Sequence, residues 1–105
     1  MKVLLQENSL VLQPETDLIA SKIEELRNDV LAQMKKHPEA EAIVLDATGI
    51  EIVDSLGVNL IIGIYRQAVA DSKSFEVINA GSRFIKVAQF FRFFSLFSIN
   101  GETTA

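Results

Sequence analysis

A chain of 105 residues matches one domain of ordinary size with a single core, so one domain over 1–105 is expected. It is 49% hydrophobic and 23% charged with a mean hydropathy of +0.25, which excludes a disordered chain and leaves apolar surface for a partner. A net charge of −4 and no cysteine argue against binding to nucleic acid or an anionic membrane, and exclude disulfides, thiol catalysis and thiolate metal sites.

Val3 to Leu5 and Leu10 to Gln13 are short apolar runs parted by Glu7-Asn8-Ser9, which predicts two strands and a turn, closed by Pro14. From about Asp17, the residues Ile19, Ile23, Leu26, Val30 and Met34 recur at helical spacing, with Lys22, Glu25, Arg27 and Asp29 on the opposite side. The helix ends near Lys35-Lys36-His37-Pro38, where cations suit the negative end of the helix dipole and proline stops it. Ala42 to Leu45 is an unbroken apolar run of the kind found in a central strand buried on both faces. Asp46 ends it and Thr48-Gly49 marks a turn. A second helix, apolar on most sides, is predicted from Ser55 to about Asp71. Phe75 to Ile78 forms a strand, Ala80-Gly81-Ser82 opens a last helix from about Arg83 to Phe94, and Ile99 adds a short strand. Strands alternating with helices predict an α/β fold: a mixed sheet with helices packed on it, in a single small domain.

The N-terminal stretch has only three consecutive apolar residues before Gln6, which is no signal peptide. The densest apolar run, Leu56 to Tyr65, is interrupted by Asn59 and two glycines and is too short for a membrane span. A cytoplasmic protein without membrane contact is expected.

The sequence offers little catalytic machinery. His37 is the sole histidine and lies in a charged loop, where a cap or solvent role suits it better than that of a base. With one histidine and no cysteine, neither a nucleophilic triad nor a zinc site assembles from the usual ligands, and Gly49, Gly57 and Gly63 match no phosphate-cradling spacing. Asp46 ends its strand as the phosphoryl-accepting aspartate of a receiver domain does. That chemistry needs an acidic pair at the end of the first strand to hold magnesium, and Glu7 is the only acid among the first 14 residues. No cofactor, metal or enzymatic activity is expected; the receiver-like reading of Asp46 stands as an alternative from another class.

Asp54-Ser55 is the stronger site. Either residue suits the N-cap of the second helix. A helix N-terminus also accepts a phosphate, and the neighbouring glycines permit close backbone approach. The span from Ala42 to Ala68, AIVLDATGIEIVDSLGVNLIIGIYRQA, resembles the signature of STAS domains of bacterial anti-sigma-factor antagonists: a strand of type I-V-L-D, then D-S-[ST]-G-[LV] opening a helix. Gly57, Gly63 and Tyr65 also fall in register with it, and the order of elements fits over nearly the whole chain. The resemblance implies that Ser55 is the phosphorylated residue and that Asp54, Ser55, Leu56, Gly57 and Asn59, with Asp17, bind the partner. It implies partner switching in transcription regulation: capture of a serine kinase that doubles as an anti-sigma factor, phosphorylation of Ser55, and restoration by a serine phosphatase. Leu56 departs from the pattern, standing where a second hydroxyl residue is common. A STAS module without a phosphate switch, such as a subunit of a lipid-transport ATPase or a signalling scaffold, is the alternative.

Six of the seven phenylalanines lie in SRFIKVAQFFRFFSLFSI, residues 82 to 99. On a continuous helix Phe84, Val87, Ala88, Phe91 and Ser95 form one face, while Phe90, Phe93, Phe94 and Phe97 form a second stripe. Core packing is the ordinary reading of such stripes; the second is also a possible homodimer or partner interface, flanked by Arg83, Lys86 and Arg92.

Overall fold

The structure, a computed structural model, describes residues 1–101. Strands β1 (Lys2–Gln6) and β2 (Ser9–Gln13) form a hairpin; α1 (Ala20–Lys36), β3 (Ala42–Asp46), α2 (Ser55–Ala70), β4 (Ser74–Ala80) and α3 (Ser82–Phe90) follow. A 3-10 turn (Phe93–Ser95) then leads to β5 (Ser98–Gly101). The strands form one mixed sheet in the order β1-β2-β3-β4-β5, with β1 and β2 antiparallel and the other pairs parallel. From β2 onwards each strand is added beside the last through a helix. Right-handed crossovers in one constant direction place all three helices on the same face of the sheet.

That face is the core. Alternate strand residues Leu10, Leu12, Ile43, Leu45, Phe75 and Val77 share one buried cluster with Ile23, Leu26, Val30 and Met34 of α1, Leu60, Ile61, Ile64 and Ala68 of α2, and Phe84 and Ala88 of α3. The opposite face carries no helix among the described residues. Val44 is nonetheless buried there, flanked in register by Val11 and Glu76. The three parallel crossovers also place the N-termini of α1, α2 and α3 together, at the end of the sheet where β2, β3 and β4 finish.

Strand β4 runs on to Ala80, two residues past the expected end, and two helix boundaries differ from expectation by more than that. Helix α1 starts at Ala20, not near Asp17, because the Asp17 carboxylate accepts from the amides of Glu51 and Ile52 at 2.8 and 2.9 Å and so is not available to the helix. Helix α3 stops at Phe90, not Phe94. Arg92 is left-handed (φ 59°, ψ 36°), which no α-helix interior tolerates, and the chain turns back on itself there.

The early stop rearranges the phenylalanines. The second stripe is split: Phe93 and Phe97 are buried, as the ordinary core reading has it, and Phe97 packs edge-on to Phe75 at 4.7 Å and lies 5.3 Å from Tyr65 and 5.4 Å from Phe93. Phe91, expected to share a face with Phe84, is exposed whereas Phe84 is buried. Phe90 and Phe94, of the same stripe, are exposed, Phe90 at 80% of its surface.

Candidate functional site

Two loops that are far apart in sequence are zipped together at the end of the sheet where the helices begin. Leu18 and Val53 form an isolated parallel bridge. The Leu18 amide donates to the Ile52 carbonyl and the Asp54 amide donates to the Leu18 carbonyl, both at 3.0 Å. Asp17 adds its two side-chain bonds to the same seam.

Asp54 is the N-cap of α2. One carboxylate oxygen accepts from the Gly57 amide at 2.9 Å, closing the first turn. The other accepts from the Ala20 amide at 2.8 Å. Ala20 is the first residue of α1, whose own N-cap, Ile19, has no side chain able to do this. One aspartate therefore caps two helices. Bonds from Gly57 first, then Ala20, hold the Asp54 carboxyl below its ordinary value, and bonds from Ile52 and Glu51 do the same for Asp17. Both acids are anionic at neutral pH.

Gly57 was expected to face a partner; it is buried instead, against this chain's own backbone. A Cβ built on it lies 2.2 Å from the Leu18 carbonyl oxygen and 2.9 Å from Val53 Cγ1. Gly49 has the same role against Pro14, with a Cβ falling 2.6 Å from the Pro14 carbonyl oxygen. These glycines allow the two loops to approach each other.

Because Asp54 takes the cap, Ser55 is relieved of that duty. It is the first residue of α2 and exposed. Leu56 is 43% exposed beside it, and Asn59 follows one turn later, also exposed. The corner thus presents a hydroxyl at the positive end of a helix of 16 residues, ringed by an anionic cap, an apolar side chain and an amide. Ile52, in the loop that leads into α2, is 48% exposed and adds a second exposed apolar side chain to this segment. Nothing in the sequence separates Ile50 from Ile52, yet Ile50 is buried while Ile52, whose carbonyl accepts from the Leu18 amide, is exposed.

Asp46 closes a turn. Burial pushes its carboxyl upward, but bonds from the Thr48 hydroxyl (2.6 Å) and amide (3.0 Å) and from Asn79 Nδ2 (3.2 Å) outweigh this and hold it below the ordinary value. Among the described residues no group of three His, Cys, Asp or Glu is placed to hold a metal ion. His37 is the C-cap of α1, 3.2 Å from Glu39. No helix among the described residues is long and apolar enough to cross a membrane.

Residues 1–101 match the family described as "Mlab, STAS domain". No curated protein matches the chain by sequence. Among solved structures, a candidate anti-sigma factor antagonist from Thermotoga maritima is similar with a TM-score of 0.86 at 15% identity, over 94% of this chain and 84% of that one. A STAS domain protein from Planctomyces limnophilus gives 0.81 at 16%, over 97% and 90%. Phosphorylated SpoIIAA of Bacillus gives 0.71 at 18%, over 95% and 89%. At these identities the likeness establishes the fold.

Proposed function

Because the chain belongs to the STAS domain family, we propose that it is a non-catalytic regulator of the anti-sigma-factor-antagonist type, acting by partner switching at the α2 corner. The unphosphorylated protein binds a serine kinase that serves as an anti-sigma factor, through Ser55, Leu56 and Asn59 with Asp54 and Asp17 behind them. Phosphorylation of Ser55 releases it, and a serine phosphatase restores it.

The observation that carries this reading is the division of labour between Asp54 and Ser55. Asp54 makes both capping bonds, so the Ser55 hydroxyl can be modified without unmaking the fold. A phosphate there brings about −1.5 to −2 charges. The α2 N-terminus tolerates them, while the Asp54 carboxylate beside them makes the same spot repulsive at a dry interface. Ser55→Asp should weaken partner binding at least about a hundredfold. Ser55→Ala should bind, resist phosphorylation and lose no more than about 1 kcal/mol of stability. The test is a pull-down with the wild-type protein to identify the kinase, followed by calorimetric titration of both variants. Equal affinity of Ser55→Asp and wild type would sink the mechanism.

The exposed Leu56 favours a second reading. An apolar side chain next to the serine suits a permanent contact, as in an unswitched STAS subunit of a lipid-transport ATPase or a signalling scaffold. On that reading the captured partner stays bound to Ser55→Asp, and kinase treatment leaves Ser55 bare.

A further inference from the structure

The two edges of the sheet are unlike. β5 is the polar edge, Ser98-Ile99-Asn100-Gly101, and its register with β4 is interrupted between Val77 and Ala80. β1 is apolar at its centre: Val3, Leu4 and Leu5 are 37%, 56% and 43% exposed, and every residue of the strand is exposed. It has no proline or bulge, and Lys2 is its only charge. Natural sheets usually protect an edge of this kind from pairing with another strand.

We infer that β1 is a self-association edge, which pairs antiparallel with β1 of a second copy of this chain about a twofold axis at Leu4. The hairpin fixes which backbone groups are free. Gln6 and Ser9 flank a two-residue loop and form a mutually bonded pair, so Gln6, Leu4 and Lys2 turn their backbone groups towards β2. Val3 and Leu5 turn theirs outward. In the register centred on Leu4, Val3 stands opposite Leu5 of the partner subunit and Leu5 opposite the partner's Val3. The residues with free N–H and C=O groups therefore meet one another as bonded pairs.

The side chains agree with this register. Lys2 falls opposite the partner's Gln6, which keeps the two lysines apart. Leu4, on the sheet face without helices, meets the partner's Leu4 in a non-bonded pair, where Cα atoms approach to about 4.5 Å. The sequence Lys-Val-Leu-Leu-Gln is thus complementary to its own reverse. One short strand buries much less than the roughly 800 Å² per partner of a stable dimer, so association depends on concentration. Ser55 lies in the helix layer away from this edge, so a dimer presents both corners.

Sedimentation velocity of the full chain from low micromolar to millimolar concentration should show the mass rising from 11.6 kDa towards twice that. Leu4→Lys, which sets two cations face to face, should weaken association at least about tenfold. Val3→Pro, which removes an outward N–H, should do the same. The register has its own readout, because the chain has no cysteine to interfere. Leu4→Cys should cross-link to itself in air, as Cα atoms at that separation suit a disulfide. Val3→Cys and Leu5→Cys should each resist alone and cross-link when mixed. Leu4→Cys keeps a small apolar side chain on the strand, so its result stands even if the proline variant unfolds. A monomer at every concentration, a dimer indifferent to Leu4→Lys, or Val3→Cys linking to itself as fast as Leu4→Cys would overturn the inference.

Discussion

Gly57 and Gly63 sit in the same helix under opposite constraints. At Gly57 a methyl group meets the Leu18 carbonyl oxygen at 2.2 Å, whereas at Gly63 no atom of the described residues lies within 4 Å. Gly57→Ala should therefore pry α2 from the Leu18 seam and cost at least about 2 kcal/mol. Gly63→Ala should stabilise by about 0.5–1 kcal/mol, since it only removes the conformational freedom of an exposed helix glycine. Urea unfolding of both variants gives the signs directly. The carboxylates of the seam add a pH signature. The pKa values of Asp17 and Asp54 are lowered in the folded state by the backbone amides they accept from. Their contribution is complete above the unfolded value near 3.9 and is lost as pH falls through the folded values. The thermal midpoint should drop from about pH 4 downward, with Asp46 and Glu39 contributing in the same sense. Asp17→Asn keeps an acceptor oxygen and removes one titration, so its acid limb should be shallower.

At the scale of elements, the C-terminal phenylalanines divide at Arg92. Phe93 has no exposed surface and lies against Phe97, which closes on Phe75 and Tyr65. Phe93→Ala should cost about 3–5 kcal/mol, a large part of the stability of a domain this size. The double variant Phe90→Ser/Phe94→Ser changes exposed side chains and should stay near wild type, within about ±0.5 kcal/mol at each site. Circular-dichroism melts of the two should differ by well over 10 °C. A double change that includes Phe93 reports on folding, not on a surface. The sequence could not show this division, because no glycine or proline punctuates residues 82–99. The turn at Arg92 is forced by tertiary packing, as β5 must return beside β4.

For the whole molecule, what was legible depended on how local the cause was. The periodicity of Ile23, Leu26, Val30 and Met34 marked their buried face because a helix face is set within a few residues. The unbroken run at Ile43 to Leu45 marked the central strand for the same reason. Asp54 and Ser55 were legible as a pair, but their separate duties were not, since the second amide that Asp54 caps belongs to Ala20, 34 residues away. Ile52, Gly57 and the start of α1 were misread or missed for that same reason: each lies at the Leu18 seam. That shared cap also ties the opening motions of two helices together. Asp54→Ala should accelerate amide hydrogen exchange at Gly57 and at Ala20 together, while the amides of β3, held between β2 and β4, keep their slow exchange. A loss of protection in α2 would then be felt at once in α1, so a disturbance of the corner reaches the outer surface of the helix layer without any movement of the sheet beneath it.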